Sequence, residues 1–195
     1  MNITPVDLLI EARWIIPVQP AGVVLEKHAL LIDKGQIVAI LPQEEAHRSY
    51  AARTVRQVDR HALIPGLINS HTHAAMSLLR GVADDLPLRE WLENHIWPTE
   101  ARHLSSAFVH DGTLLACAEM LAGGITCFND MYFHPEAAAQ AALSMGMRAA
   151  IGLVTLDIPT PYASDADDYL AKGLDARDKL RGEPLLSFCL APHAP

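Results

Sequence analysis

The sequence lacks features that would assign it to several large classes of protein. It has only three cysteines, and Cys117, Cys127 and Cys189 are too far apart to form a CxxC metal knuckle or a disulfide framework. We interpret them as small core residues in a reducing cytoplasm. No apolar run is long enough to span a bilayer, and the N-terminus lacks the basic and apolar regions of a secretory signal.

Clusters of basic residues are also missing, and the formal net charge is −8. This charge disfavours nucleic acid and anionic membrane surfaces as partners. Half of the residues are hydrophobic, which is typical of a globular chain. A length of 195 residues allows one large domain or two small ones.

Two sequence patterns divide the chain. Residues 6–60 contain short apolar runs separated by charges and turn residues, with a predicted hairpin turn over Asp33–Gln36, so residues 1–61 form a small sheet. From Ala62 onward, apolar runs alternate with helical patterns, which predicts parallel βα units over residues 62–195. The predicted strands are a run from Ala62 through Ile68 to His73, then 125–129, 148–155 and 185–190, and the predicted helices are 86–95, 105–122, 135–146 and 165–181. In the helix over 105–122, Ser105 or Ser106 can cap the start, Gly123 and Gly124 end it, and Phe108, Leu115, Ala118 and Ala122 are expected to share one apolar side.

The most informative stretch is PGLINSHTH, Pro65–His73, which ends in two histidines at positions i and i+2. Alternate side chains of a strand point to the same face, so His71 and His73 would present their imidazoles together. On a helix, residues two apart do not face each other. The spacing and the apolar residues before it therefore predict a pair of nitrogen ligands for a metal, at the carboxyl end of a strand.

This stretch resembles the amidohydrolase superfamily. The resemblance covers essentially the whole chain and is closest to the deaminase branch that acts on S-adenosylhomocysteine and 5′-methylthioadenosine. It rests on four segments: PGLINSHTH, LPLREWLENHIWPTEAR, GGITCFNDMYF and LAPHAP. The resemblance implies an α/β fold in which a small β-sandwich precedes the first four βα units of a metal-dependent (β/α)8 TIM barrel.

The resemblance also implies roles for four residues. His71 and His73 match two ligands of one divalent metal, usually zinc or iron. Glu100 matches a carboxylate that accepts hydrogen bonds from the ribose hydroxyls, and His193 matches a histidine that hydrogen-bonds the purine. The remaining metal ligands and a proton-shuttling glutamate would follow Pro195. We therefore expect no catalytic residue within this chain and no activity from these 195 residues alone.

Other interpretations of the sequence remain open. Guanine, pyrimidine or triazine hydrolysis is the nearest enzymatic alternative, and Glu100 separates them, because a free base has no ribose for it to bind. Alternatively, the chain is a non-catalytic portion or an interaction domain. The segment Leu185–Pro195 contains no lysine, which disfavours a two-metal site bridged by a modified lysine. The HxE and PCxxC motifs of other zinc deaminases are also missing. Asp130 fits a metal ligand or, more commonly after a strand, a turn carboxylate. Trp91 and Trp97 fit either the core or an adenine pocket.

The predicted activity is hydrolysis of the exocyclic amine of S-adenosylhomocysteine or 5′-methylthioadenosine, which yields the inosyl product and ammonia. Such a reaction needs water made nucleophilic at neutral pH, which a bound metal provides. The expected partner is a small purine nucleoside in the cytoplasm, without nucleic acid or membrane. The sequence leaves the oligomeric state open, a homo-oligomer included.

Overall fold

The computed structural model describes residues 3–193 and contains two compact units, Met1–Pro65 and Gly66–Pro195. The division falls after Pro65, whereas the change of sequence pattern predicted it after His61. Among the described residues, no helix is long and apolar enough to cross a membrane.

The first unit is a five-stranded sheet organised around β1 (Thr4–Ile15). β1 pairs in antiparallel fashion with β2 (Leu25–Glu26) and β3 (His28–Asp33). It also pairs in parallel, along nearly its whole length, with β5 (Tyr50–Leu63). β4 (Gln36–Pro42) pairs with β3 as a hairpin. The residues of β1 therefore hold the sheet together.

The β3–β4 turn confirms the predicted hairpin. Asp33 pairs with Gln36, and the two residues between them, Lys34 and Gly35, have φ values of 48° and 74°. Positive φ at both central residues is what a two-residue type I′ turn requires, and glycine adopts it without steric cost.

The first unit also contains a helix that the sequence did not predict, α1 (Gln43–Ser49). Only Ala46 of this helix is buried, in the cluster that includes Leu9 and Leu31. A helix of seven residues with one buried position has no detectable apolar period, so the all-β interpretation of this region was wrong at this point.

The run Ala62–Ile64 does not belong to the strand that carries the histidines. Ala62 and Leu63 end β5 and pair with Trp14 and Ile15 of β1. The histidine strand begins only at Leu67, because Pro65 and Gly66 interrupt the extended run.

The second unit is an α/β structure with a four-stranded, all-parallel sheet. The strand order follows the chain: β6 (Leu67–Thr72), β7 (Ile125–Asp130), β8 (Arg148–Thr155) and β9 (Leu186–Pro192). The predicted parallel βα units are therefore confirmed. The helices are α2 (Leu88–Trp91), α3 (Trp97–His103), α4 (Ser106–Ala122), α5 (Pro135–Ser144) and α6 (Ala166–Leu180), with a 3-10 helix over Ala74–Leu79 and a π-helical turn over Leu92–Ile96 that joins α2 to α3.

The predicted boundaries of α4 are confirmed by its caps. The Ser105 hydroxyl accepts a hydrogen bond from the Phe108 N–H at 3.1 Å, which satisfies one of the unpaired donors of the first turn. Gly124 follows the helix with a φ of 82°, the left-handed conformation that ends many helices.

The predicted apolar face of α4 was wrong. Leu115, Ala118 and Ala122 are exposed, and the buried side is formed by Val109, Gly112, Thr113, Ala116, Cys117 and Met120. The helix is apolar on most sides, so its period did not identify the buried one. Small residues decide the packing, because Gly112 lies directly against the backbone of Ala75 in the 3-10 helix.

The three cysteines occupy different environments. Cys117 is fully buried, as predicted, and burial raises the pKa of its thiol to about 11. Cys127 is half-buried, and Cys189 is exposed on β9, so the core prediction is wrong for Cys189.

We predict that Gly112→Ala destabilises the protein. A Cβ at this position would lie 2.5 Å from the carbonyl oxygen of Ala75 and 2.8 Å from its Cα, and backbone atoms cannot move aside as a side chain can. The expected loss is about 1–3 kcal/mol of unfolding free energy, despite the better helix propensity of alanine. Chemical denaturation measures it. Gly182→Ala is the matched control, because a Cβ there meets nothing within 4 Å, and an equal effect of both changes would contradict the close contact.

Candidate active site

Three histidines meet at the carboxyl end of the parallel sheet. His71 lies on β6, His73 follows that strand, and His193 follows β9. One ligand nitrogen of each lies within 4.8 Å of the others. The sequence therefore placed the pair His71–His73 correctly on one strand end, and the structure adds His193 to it.

The meeting of these histidines requires a curved sheet. β6 and β9 are the outermost of the four strands, and three strand spacings would separate them by about 14 Å in a flat sheet. Yet the ring centroids of His73 and His193 are 5.0 Å apart. The sheet therefore bends so that the side chains at the carboxyl ends of β6 and β9 converge.

A backbone hydrogen bond fixes the tautomer of the neutral His73 ring. Its Nδ1–H donates a hydrogen bond to the Met131 carbonyl oxygen at 2.7 Å, since a carbonyl can only accept. Nε2 is therefore unprotonated and available as a ligand. Burial lowers the pKa of His73, and the neighbouring His193 and His71 lower it further against the opposing effect of the Met131 bond. A neutral imidazole near neutral pH suits zinc and other divalent metals of intermediate softness.

Asp130 holds the backbone next to His73. It ends β7, is 2 % exposed, and its Oδ1 accepts a hydrogen bond from the Ala74 N–H at 2.7 Å. Burial raises the pKa of Asp130 to about 7, and the Ala74 bond opposes that shift. The sequence favoured a turn carboxylate after the strand, whereas the structure places Asp130 within the end of β7 and buries it. Its position at the carboxyl end of a predicted strand, like that of the histidine pair, was the signal that could have found it.

Glu100 is a buried carboxylate, 9 % exposed, on α3. The Tyr132 hydroxyl donates a hydrogen bond to its Oε1 at 2.5 Å. Burial raises the pKa of Glu100, and this hydrogen bond partly opposes the shift. Burial and then the Glu100 charge raise the pKa of Tyr132, so its hydroxyl keeps the proton and is the donor. Sequence reasoning found Glu100 through the resemblance alone and missed Tyr132.

Glu100, Tyr132, His73 and His193 line one cavity of about 460 Å³. The remaining lining is apolar or aromatic: Met76, Leu88, Trp91, Leu92, Ile96, Trp97, Met131, Phe133, Val154, Leu156 and Ile158. The volume and the mixture of an apolar wall with a few polar groups are typical of a site for a small organic ligand. Both tryptophans therefore lie at the cavity, and the Trp91 indole N–H donates to the Val82 carbonyl oxygen at 3.1 Å.

Comparisons with known proteins define the class. A family model described as the Amidohydrolase family matches residues 62–194. The chain belongs to the amidohydrolase family, which confirms the resemblance inferred from the sequence.

Within this family the chain is similar to particular deaminases. It is 50 % identical over 194 residues to the 5-methylthioadenosine/S-adenosylhomocysteine deaminase of Saccharophagus degradans and 46 % identical to that of Teredinibacter turnerae, and it covers 44 % of the length of each. The crystal structure of an adenosine deaminase from Xanthomonas campestris with bound zinc superposes with a TM-score of 0.96 at 48 % identity, over the whole of this chain and 44 % of that one. The chain thus spans less than half the length of these relatives.

We predict that the stability of the metal-free protein depends on the ionisation of Asp130. In the folded chain its carboxyl keeps a proton up to about pH 7, whereas its ordinary pKa is 3.8. The folded state therefore binds more protons between these values, and its stability falls as the pH rises through that window. An asparagine side chain accepts the same bond without ionising, so Asp130→Asn should gain stability relative to wild type as the pH rises from about 4 to about 8.

Thermal melts at several pH values, with a chelator present, measure this difference. The exposed Asp167→Asn is the control and should follow wild type throughout. A constant difference between wild type and Asp130→Asn over the whole range would show that the pKa of Asp130 is the same in the folded and the unfolded chain, and would contradict the prediction.

Proposed function

We propose that this chain is the N-terminal part of a metal-dependent deaminase. The proposed reaction converts S-adenosylhomocysteine or 5′-methylthioadenosine to the inosyl product and ammonia. The observation that carries the proposal is the cavity that His73, His193 and the buried Glu100 line together, with His71 beside the two histidines. The names of the relatives at 46–50 % identity support the same reaction.

We propose that His71 and His73 hold one divalent metal, zinc or iron. Convergent imidazoles, with a fixed tautomer at His73, are a suitable donor set for either ion. When bound, the metal would supply nucleophilic water at neutral pH. The part of this chain is to orient the ligands: the Met131 carbonyl holds the His73 ring, and Asp130 holds the backbone that follows it.

The proposed role of His193 is to hydrogen-bond the purine. Its imidazole both lines the cavity and stands beside His71 and His73. A base that is bound through His193 would therefore have its reacting carbon close to the metal that His71 and His73 hold. Deamination needs this arrangement.

The proposed role of Glu100 is to accept hydrogen bonds from the ribose hydroxyls. Tyr132 occupies Oε1, and no described residue donates to Oε2, so one oxygen is available to a ligand. A carboxylate that accepts from ribose hydroxyls would have no such partner on a free base. This favours the nucleoside reaction over guanine, pyrimidine or triazine hydrolysis.

The proposed architecture is the first four βα units of a (β/α)8 barrel, preceded by part of a small β-sandwich. The parallel order of β6 to β9 and the curvature of their sheet support it, because barrel sites form at the carboxyl ends of such strands. The remaining metal ligands and the proton-moving groups are expected beyond Pro195. We therefore assign no catalytic residue to this chain and propose the reaction for a full-length protein.

We predict that His71→Ala and His193→Ala differ in their effect on the metal. In the full-length protein, His71→Ala should weaken metal binding by more than about 100-fold. Loss of a residue that only hydrogen-bonds a metal ligand costs up to about 100-fold, and loss of a ligand itself should cost more. His193→Ala should keep the metal but lose substrate turnover. Metal content after dialysis and ammonia release measure the two properties.

The exposed His103→Ala is the control and should change neither property. Loss of metal from His193→Ala equal to that from His71→Ala would make His193 a metal ligand and would contradict its purine role.

We predict that Glu100→Ala affects only substrates that carry ribose hydroxyls. Loss of a charge-assisted hydrogen bond of about 1.5–3 kcal/mol should lower kcat/KM on 5′-methylthioadenosine by about 10- to 100-fold. The 2′,3′-dideoxy analogue should lose little, because it makes no such bond. Exposed Glu93→Ala is the control. An unchanged kcat/KM on the ribonucleoside, with the metal still bound, would remove Glu100 from the ribose site.

A further inference from the structure

Tyr132 makes a contact for which neither the resemblance nor the proposed reaction gives a reason. Its hydroxyl donates to Glu100 Oε1, and both side chains are buried at the cavity, Tyr132 to 5 % and Glu100 to 9 % exposure. Among the described residues, this is the hydrogen bond that reaches the Glu100 carboxylate. The carboxylate would otherwise be free to turn about its side-chain bonds within the cavity.

The two residues come from separate parts of the fold. Glu100 lies on α3, a helix of seven residues that follows a π-helical turn, and Tyr132 follows the end of β7. The hydrogen bond therefore connects the helical segment that follows β6 to the strand ends that carry the histidines.

Tyr132 directly follows the two residues that contact His73 and the backbone after it. Asp130 binds the Ala74 N–H, the Met131 carbonyl binds the His73 ring, and the Tyr132 ring lies 4.9 Å from that of Phe133. Three consecutive residues thus fix the backbone after His73, the His73 imidazole and the Glu100 carboxylate. The position of the Glu100 carboxylate is therefore set relative to that of His73.

We infer that Tyr132 is a positioning residue for the ribose: its hydroxyl holds the Glu100 carboxylate so that Oε2 meets the ribose hydroxyls while the base reaches His193. The selectivity of the site for nucleosides over free bases then depends on Tyr132 as well as on Glu100. This inference rests on the proposed function, because it assumes a nucleoside in the cavity.

Tyr132→Phe in the full-length protein tests the inference. The variant keeps the ring and its packing and loses only the hydroxyl. On 5′-methylthioadenosine, kcat/KM should fall about tenfold, mainly through KM, as expected for one lost hydrogen bond to a charged group. On the 2′,3′-dideoxy analogue it should change less than about twofold. In the double variant with Glu100→Ala, the losses should not add, because both changes remove one interaction.

Tyr169→Phe is the matched control. Tyr169 is fully buried and its hydroxyl also shares a hydrogen bond, with Thr160 Oγ1, but it does not contact Glu100. Any effect of this change should be the same on both substrates. If Tyr132→Phe also lowered kcat/KM equally on both, Tyr132 would be a packing residue and the inference would be wrong.

A binding measurement separates this inference from the proposed reaction. Calorimetry with 5′-methylthioinosine and its 2′,3′-dideoxy analogue needs no turnover. Wild type should prefer the ribonucleoside, and Tyr132→Phe should remove most of the preference. Such a result in a protein that releases no ammonia would contradict the reaction and support the role of Tyr132. Equal affinities of wild type for both ligands would overturn the inference.

Discussion

The site depends on a set of hydrogen bonds that joins the ends of two neighbouring strands. The Ala74 N–H donates to the buried Asp130 carboxylate, the Met131 N–H donates to the Thr72 carbonyl, and the His73 ring donates to the Met131 carbonyl. Each bond links the segment after β6 to the segment after β7. The Asp130 carboxylate and the Ala74 N–H are buried, so the loss of their bond would leave a buried polar group without a partner, which costs about 1–3 kcal/mol. The orientation of His73 at the end of β6 therefore depends on residues of two strands.

A second constraint is the curvature of the parallel sheet. It brings the outer strands β6 and β9 close enough for His73 and His193 to share a cavity. The apolar wall of that cavity comes from the segments that connect the strands, including Trp91, Trp97 and Ile158. The strand ends thus carry the histidines, whereas the connecting segments supply Glu100 and much of the apolar wall.

Much of this arrangement could be predicted from local sequence, and the exceptions have a common cause. The i, i+2 spacing of His71 and His73, the cap at Ser105 and the hairpin at Lys34–Gly35 are short-range features, and the structure contains them. The buried face of α4, the burial of Asp130 and the partner of Glu100 each depend on residues distant in sequence. Gly112 packs against the backbone of Ala75, and the sequence of α4 alone contains no sign of that contact. Glu100 was identified only because its segment resembles the corresponding segment of the deaminase branch.

The distance along the chain between His73 and His193 has a consequence for how the protein folds. Contacts between the outermost strands of a sheet close the longest loop in it, and closing long loops is slow because the chain entropy is lost before the contacts form. The histidine pair can assemble from one strand and its immediate neighbour, whereas the full cluster requires all four strands in register. We therefore expect the pair His71 and His73 to form before the cavity during folding, and the cluster with His193 to form only when all four strands are paired.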